Sequence, residues 1–269
     1  MEFNSLKEKY LYYRNQTDYR LSKDGYVMIM LDGRSFSHKI KKIFKRPFDD
    51  MFIEMMNETA KYVCERVSGC KLGYVQSDEI NLVLHTTELQ EPFFGNRMCK
   101  LLSVIASLAT SKFNQLYLYY TIKDLPCSKE DLVDIIKDSR LFEFDCKAWN
   151  VPDLNDAYAS ILYRQNDCIR NSKEAVAQSK FSSSELHKKR TDEQIAMVKE
   201  TFGIDWYTDF SDGEKYGRFI VPTTIVIHHQ GESEPIYRRG WEIRDAFPIG
   251  DENNRKKIMT IIEYERNYK

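Results

Sequence analysis

Net charge is nearly absent from this chain. Its 269 residues carry 40 Lys and Arg against 41 Asp and Glu, a formal charge of −1. No global basic field draws it to a polyanion, so any nucleic-acid contact has to come from a local cluster of cations. Cysteine is sparse and unpatterned: Cys64, Cys70, Cys99, Cys127, Cys146 and Cys168 form no CxxC pair. That argues against a zinc site and a disulfide framework, and for reduced thiols in a cytoplasm. Histidine is scarce at five, and the His228-His229 pair follows a β-like run as a strand-end feature. Seven prolines and eleven glycines leave no linker or low-complexity tract, which fits one compact unit. No window approaches the roughly 18 uncharged apolar residues of a membrane span, so no membrane partner is expected. The beginning, MEFNSLKEKY, is unlike a secretory signal.

What is present is a soluble globular composition, 42% apolar and 30% charged. Residues 1–22 are expected to be largely helical. GYVMIML (25–31) is apolar on both faces, like a fully covered strand. Phe52, Met55, Met56, Thr59, Val63 and Val67 recur at helical spacing. LGYVQSDEINLVLH (72–85) is expected to form two strands joined by a turn. A helix over 97–114, a capping box at Ser128, a short strand at 141–145 and a long helix over about 153–178 follow. Helix starts at Ser182 and Thr191 and a strand over 218–228 complete the pattern. The order predicts an α+β fold, with an antiparallel sheet backed by helices on one face and a helical extension.

The acidic residues raise the functional question. Asp32 closes the first strand and is followed at once by Gly33 and Arg34. Asp78 and Glu79 sit at the expected hairpin tip. A strand–helix–strand–strand unit can bring strand end and hairpin tip to one edge of the sheet. Three carboxylates meeting there repel one another unless cations intervene. Hard oxygen ligands of this kind suit Mg²⁺, which completes its shell with water and phosphate oxygens. Two such ions would clamp both oxygens of a phosphoryl displacement. Gly33 lets backbone approach an ion, and the segment from Arg34 through Ser35 and Phe36 to His38 offers N–H groups to a triphosphate. The plainer alternative is a solvated Asp-Gly turn and an ordinary hairpin tip.

Together, LDGRSF, KRPFDD and GYVQSDEINLVL resemble the tRNA-His guanylyltransferase family, and more narrowly its members that repair tRNA 5′ ends. The likeness continues through FDCK (144–147), YRQNDCIRNS (163–172), KFSSSELHKK (180–189) and FGIDW (202–206), covering roughly residues 5–220. It implies a polymerase-like palm within one unit spanning 1–269: a catalytic part over 1–148 and a helical/β extension over 149–269. It implies a metal-dependent nucleotidyltransferase that adds nucleotides to tRNA 5′ ends in the 3′-to-5′ direction, in template-dependent repair, guanylylation of tRNA-His, or both. Two Mg²⁺ ions, GTP and ATP as substrates, and a homo-oligomer (dimer or tetramer) come with it. Asp32 and Asp78 would bridge the metals, Gly33 would give its carbonyl, and Glu79 would be the third acidic residue, with Ser77 beside the nucleotide.

The family usually has lysine directly before the proline of KRPFDD. Here Arg46 stands there, with Lys45 beside it. Asp49 matches a residue near the activating nucleotide's base, where a carboxylate can accept from guanine N1–H and its amine. On the long helix, Arg164 and Asp167 make either a plain i,i+3 ion pair or part of a polar face. On that second reading Arg164, Gln165, Arg170 and Asn171 turn toward phosphates or the tRNA end. Ile169 stands where maturation enzymes of the family carry histidine, which favours the repair branch. Lys188 and Lys189 are candidates for tRNA backbone. Two rivals remain: another two-metal palm enzyme, such as a nucleotide cyclase, and a non-catalytic RNA-binding module.

Overall fold

The computed structural model describes residues 3–41, 43–123, 128–227 and 236–264; His228, His229 and Cys127 lie outside them. The helices are α1 Leu6–Asn15, α2 Phe36–Ile40, α3 Asp50–Arg66, α4 Met98–Ile122, α5 Lys129–Asp138, α6 Leu154–Gln178, α7 Ser183–Leu186, α8 Thr191–Phe202, α9 Asp212–Tyr216 and α10 Glu252–Glu263. The strands are β1 Tyr26–Gly33, β2 Cys70–Gln76, β3 Glu79–Leu84, β4 Phe144–Val151, β5 Arg218–Ile227 and β6 Ile236–Asp245. They form one antiparallel sheet in the order β4-β1-β3-β2-β5-β6.

The doubly apolar β1 lies inside this sheet with a core on each side. Val27, Ile29 and Leu31 meet Met55, Met56 and Val63 of α3 and Leu101, Ile105 and Phe113 of α4. The alternate residues Tyr26 and Met28, with Tyr74 of β2, meet Ala157 and Ile161 of α6 and Ile258 and Ile262 of α10. The expected antiparallel sheet with helices on one face is present. α3 and α4 cover that face, and the helical extension folds back over the other. The reason is visible in β1 itself: a strand apolar on both faces leaves neither to water. The division at residue 148 falls inside β4, and β5 and β6 continue the same sheet.

Caps end the elements where their residues permit. Ser128 and Asp131 form the expected reciprocal box at α5. Asp49 caps α3 by accepting from Phe52 N at 2.9 Å. Asp153 caps α6. A third cluster, around the buried Trp206, joins the far end of α6 to α8.

Candidate active site

β2 and β3 are joined by a two-residue turn, Ser77-Asp78, with Ser77 in the left-handed region at φ 46°. The turn stands beside the end of β1. Gly33 N donates to Asp78 O at 3.1 Å. Asp32 is the cross-strand partner of Glu79 on one side and of Asp145 on the other. Directly paired residues share a face, so three carboxylates form a row on the α6 side of the sheet, with Asp78 at the turn.

The members of this group differ in their surroundings. Arg164 of α6 grips Glu79 in a fork, Nε to Oε1 at 2.7 Å and Nη2 to Oε2 at 2.5 Å. Asn81 adds a donor to Oε1 at 2.7 Å. Glu79 is thus buried and neutralised. Burial works against the Arg164 guanidinium, but its hydrogen bonds to Glu79 and the charges of Glu79 and Asp167 hold it firmly protonated. Among the described residues no cation pairs with Asp32 or Asp78. Burial raises the Asp32 carboxyl, and Asp145 and Glu79 raise it further. Burial lifts Asp78 to about 6 against the hydrogen bonds from its own backbone and from Ser77, and the charges of Asp32 and Glu79 add to the rise.

These two carboxylates are the members of the group left without a cation among the described residues. No three Asp, Glu, His or Cys side chains close around one point among the described residues. Mg²⁺ asks for less, one or two carboxylates with water and phosphate completing the shell, and the donor set fits that. Gly33 is also needed locally: a Cβ there would lie 2.5 Å from the Phe36 ring.

Next to the turn lies a cavity of about 210 Å³ between α3, α6, α9 and the 40–48 segment. Lys45 and Arg46 are exposed at its rim, and Ser77, Asp49 and Asn171 also line it. These expected residues are brought together. The other expected residues have different surroundings. Phe36 is wholly buried among Phe113, Phe142 and Phe144, so its ring serves packing. Asp49 accepts Phe52 N on one oxygen and Lys45 N on the other at 2.9 Å, so one lone pair of each oxygen serves the backbone. Gln165 is buried; its amide donates to Phe247 O at 3.0 Å and its carbonyl accepts Ile249 N at 2.8 Å. It ties the segment before α10 to α6 and has no free group for tRNA or phosphate. Arg164 makes the i,i+3 pair with Asp167 at 2.7 Å, and Arg170 closes on the same carboxylate at 2.9 Å. Arg34 N donates to Glu143 O at 2.8 Å, which takes that N–H from a triphosphate, and Ser35 adopts a left-handed φ of 58°. Lys188 and Lys189 are exposed between α7 and α8, outside the cavity lining.

Sequence reasoning missed Asp145, although FDCK at a strand end was a signal for it. It also missed Glu214 and Arg218, which reach the cavity from far along the chain; no local pattern marked them.

Residues 9–152, more than half of the chain, match the tRNAHis guanylyltransferase family. The chain belongs to this family. A bacterial tRNA(His) guanylyltransferase (Thg1)-like protein solved in complex with ATP superposes with a TM-score of 0.77 at 25% identity, covering 96% of this chain and 99% of that one. The tRNA(His) guanylyltransferase of Saccharomyces cerevisiae shares the fold, with a TM-score of 0.62 at 20% identity over 78% of this chain and 90% of its own. The Schizosaccharomyces pombe tRNA(His) guanylyltransferase is 30% identical over 154 residues, 56% of this chain and 52% of that protein. An uncharacterised protein of Acanthamoeba polyphaga mimivirus is 26% identical over 223 residues, 76% of this chain and 72% of its own. The chain spans about half the length of the curated guanylyltransferases it matches. The family's sheet is thus the palm-like sheet expected from the motifs, and its members are nucleotidyltransferases.

Proposed function

We propose that this chain is a metal-dependent nucleotidyltransferase that adds nucleotides to tRNA 5′ ends in the 3′-to-5′ direction, with GTP and ATP as substrates. The observation that carries the reading is the pair Asp32 and Asp78. Two carboxylates without a cation of their own stand beside a cavity with Lys45 and Arg46 on its rim. Complexes of family-like proteins with ATP and with GTP support nucleotides as the occupants.

Two Mg²⁺ ions on Asp32, Asp78 and the Gly33 carbonyl would neutralise crowded phosphate charge and polarise the reacting phosphorus. The chain's own groups do the rest. Lys45 and Arg46 attract the displaced phosphates, and Arg164 keeps Glu79 from competing for the same cations. Arg170, Lys188 and Lys189 offer exposed charge to the tRNA backbone, and Asn171 a polar contact at the cavity. Ile169 packs against the Trp206 cluster and has no polar atom to read a base. Selectivity then falls to pairing with the opposite strand of the acceptor stem. This favours template-dependent repair. A cytoplasmic home, read from the unpaired thiols, and a dimer or tetramer, read from the family resemblance, belong to the same proposal.

The test is single-turnover addition with GTP and Mg²⁺, comparing a 5′-truncated tRNA with full-length tRNA-His. Faster repair of the truncated tRNA is expected, with G preferred opposite C. Faster addition to the unpaired end of tRNA-His would reverse the branch assignment. Release of cyclic nucleotide, or binding of tRNA without any addition, would overturn the reaction itself.

A further inference from the structure

Arg218 opens β5, well outside residues 9–152 that match the family. It is 5% exposed, and burial pulls its guanidinium below the usual arginine range. Nε donates to Asn57 Oδ1 of α3 at 2.9 Å and Nη1 to Gly213 O at 3.1 Å. Asp245, its cross-strand partner, and Glu214 act on it through charge, but among the described residues no carboxylate accepts from it. A guanidinium has five N–H donors, and two bonds leave donors over. This side chain lines the cavity.

The cavity has two ends of different character. Lys41, Lys45 and Arg46 are exposed at the mouth, toward solvent. Inside, Phe44, Phe52 and Ala175 make apolar walls, and Arg218 is the buried cation among them. Such walls suit a flat ring and not a hydrated triphosphate. The volume, about 210 Å³, is below the roughly 300–1,000 Å³ of pockets that enclose a whole drug-sized ligand. The space takes the base of a nucleotide and leaves its phosphates at the basic mouth, with Ser77, the neighbour of Asp78, also in the lining.

A buried guanidinium selects among bases by what they can accept. Guanine offers O6 and N7 side by side, the commonest bidentate target of arginine, whereas adenine offers N7 beside the N6 amine, a donor facing donors. Asp49 also lines the cavity, but an ionised carboxylate only accepts and cannot serve O6 or N7, which are acceptors themselves. We propose that Arg218 reads the base of the nucleotide held in this cavity and selects guanine through O6 and N7. The assignment rests on the nucleotidyltransferase reading above and concerns only which base this cavity holds; pairing with the acceptor stem still decides which nucleotide is added.

The test is calorimetric titration of the full chain, with Mg²⁺ present, by GTP, ITP, ATP and 7-deaza-GTP. ITP keeps O6 and N7 but lacks the guanine amine; 7-deaza-GTP lacks N7. GTP and ITP are expected to bind alike, and both tighter than ATP by about 5- to 150-fold, the discrimination of one bidentate arginine–guanine contact. 7-deaza-GTP should lose part of that advantage. In Arg218→Gln, checked for an unchanged melting transition, the GTP-to-ATP affinity ratio should collapse toward one, and Arg218→Lys should recover only part of it. If Arg218→Gln does not fold, the four-ligand series on the unaltered chain carries the test by itself. A ratio preserved in Arg218→Gln, 7-deaza-GTP equal to GTP, or ATP binding as tightly as GTP would overturn the assignment. ITP much weaker than GTP would move recognition to a carboxylate that reads the amine, also against Arg218. Failure of every nucleotide to bind would instead remove the nucleotidyltransferase reading on which the assignment stands.

Discussion

Asp78→Asn separates what Asp78 does for the reaction from what it does to the fold. Its carboxyl titrates at about 6 in the folded chain against 3.8 for an ordinary aspartate, chiefly because the carboxyl itself is desolvated. The unfolded chain gives up this proton first, so the ionised group opposes folding. That cost appears as pH rises from about 3.8 through about 6 and is complete above it. A rise of about two units corresponds to roughly 3 kcal/mol at 1.36 kcal/mol per unit. Asparagine keeps the shape and an oxygen to accept from the Ser77 hydroxyl, which donates to Asp78 at 3.0 Å, but carries no charge. With divalent metal chelated, the variant should therefore be more stable than the parent by up to about 3 kcal/mol at pH 8. Below about pH 4 the two should coincide. Guanidinium chloride denaturation across this pH range measures the difference directly. Adding Mg²⁺ should narrow the gap by stabilising the parent alone, while the variant loses nucleotide addition. A variant less stable than the parent at pH 8, or a difference independent of pH, would refute the idea that Asp78 is an uncompensated carboxylate held for a cation.

Three further outcomes are expected. Arg164→Met leaves Glu79 charged and buried, and should cost about 3–5 kcal/mol of stability, as when one partner of a buried pair is removed; the double variant with Glu79→Gln should regain most of it in the same denaturation assay. Gln165→Ala leaves the buried backbone N–H of Ile249 unpaired, at about 1–3 kcal/mol, and frees the half-buried carbonyl of Phe247, while nucleotide affinity of the folded protein stays unchanged in titration. Replacing Lys45 and Arg46 together by Ala should slow addition to a 5′-monophosphorylated tRNA more than to a 5′-triphosphorylated one, because the second bypasses activation; equal losses in a rate comparison would assign both residues to general phosphate binding.

The elements legible in the sequence were those set by short-range rules. The two-sided apolar run of β1, the helical spacing from Phe52 to Val67 and the Ser128 box each depend on residues a few positions apart. The hairpin turn at Ser77-Asp78 does too. Pattern and turn chemistry therefore placed Asp32 and Asp78 at element ends, and their meeting followed from simple sheet topology. Where a role depended on which group happened to stand opposite, the sequence was silent. Gln165 looked like one more polar residue on an outward face until residues 247 and 249 took both ends of its amide. Asp49 carried no sign that its oxygens would also hold the backbone at its own helix start.

The charge state of the site belongs to tertiary structure for the same reason. By itself the sequence determined that three carboxylates could gather at one sheet edge beside a run of cations. It did not determine that one would be neutralised and two left bare. That distinction comes from Arg164 on α6, 85 positions from Glu79, docking on the second face of the sheet. The buried end of the cavity comes from Arg218, which meets Asn57 across 161 positions only because β5 pairs with β2. Periodicity and capping energies act over a few residues and select elements. Ion pairing, desolvation and cavity shape depend on which distant surfaces meet, and those are settled only when both faces of the sheet are covered.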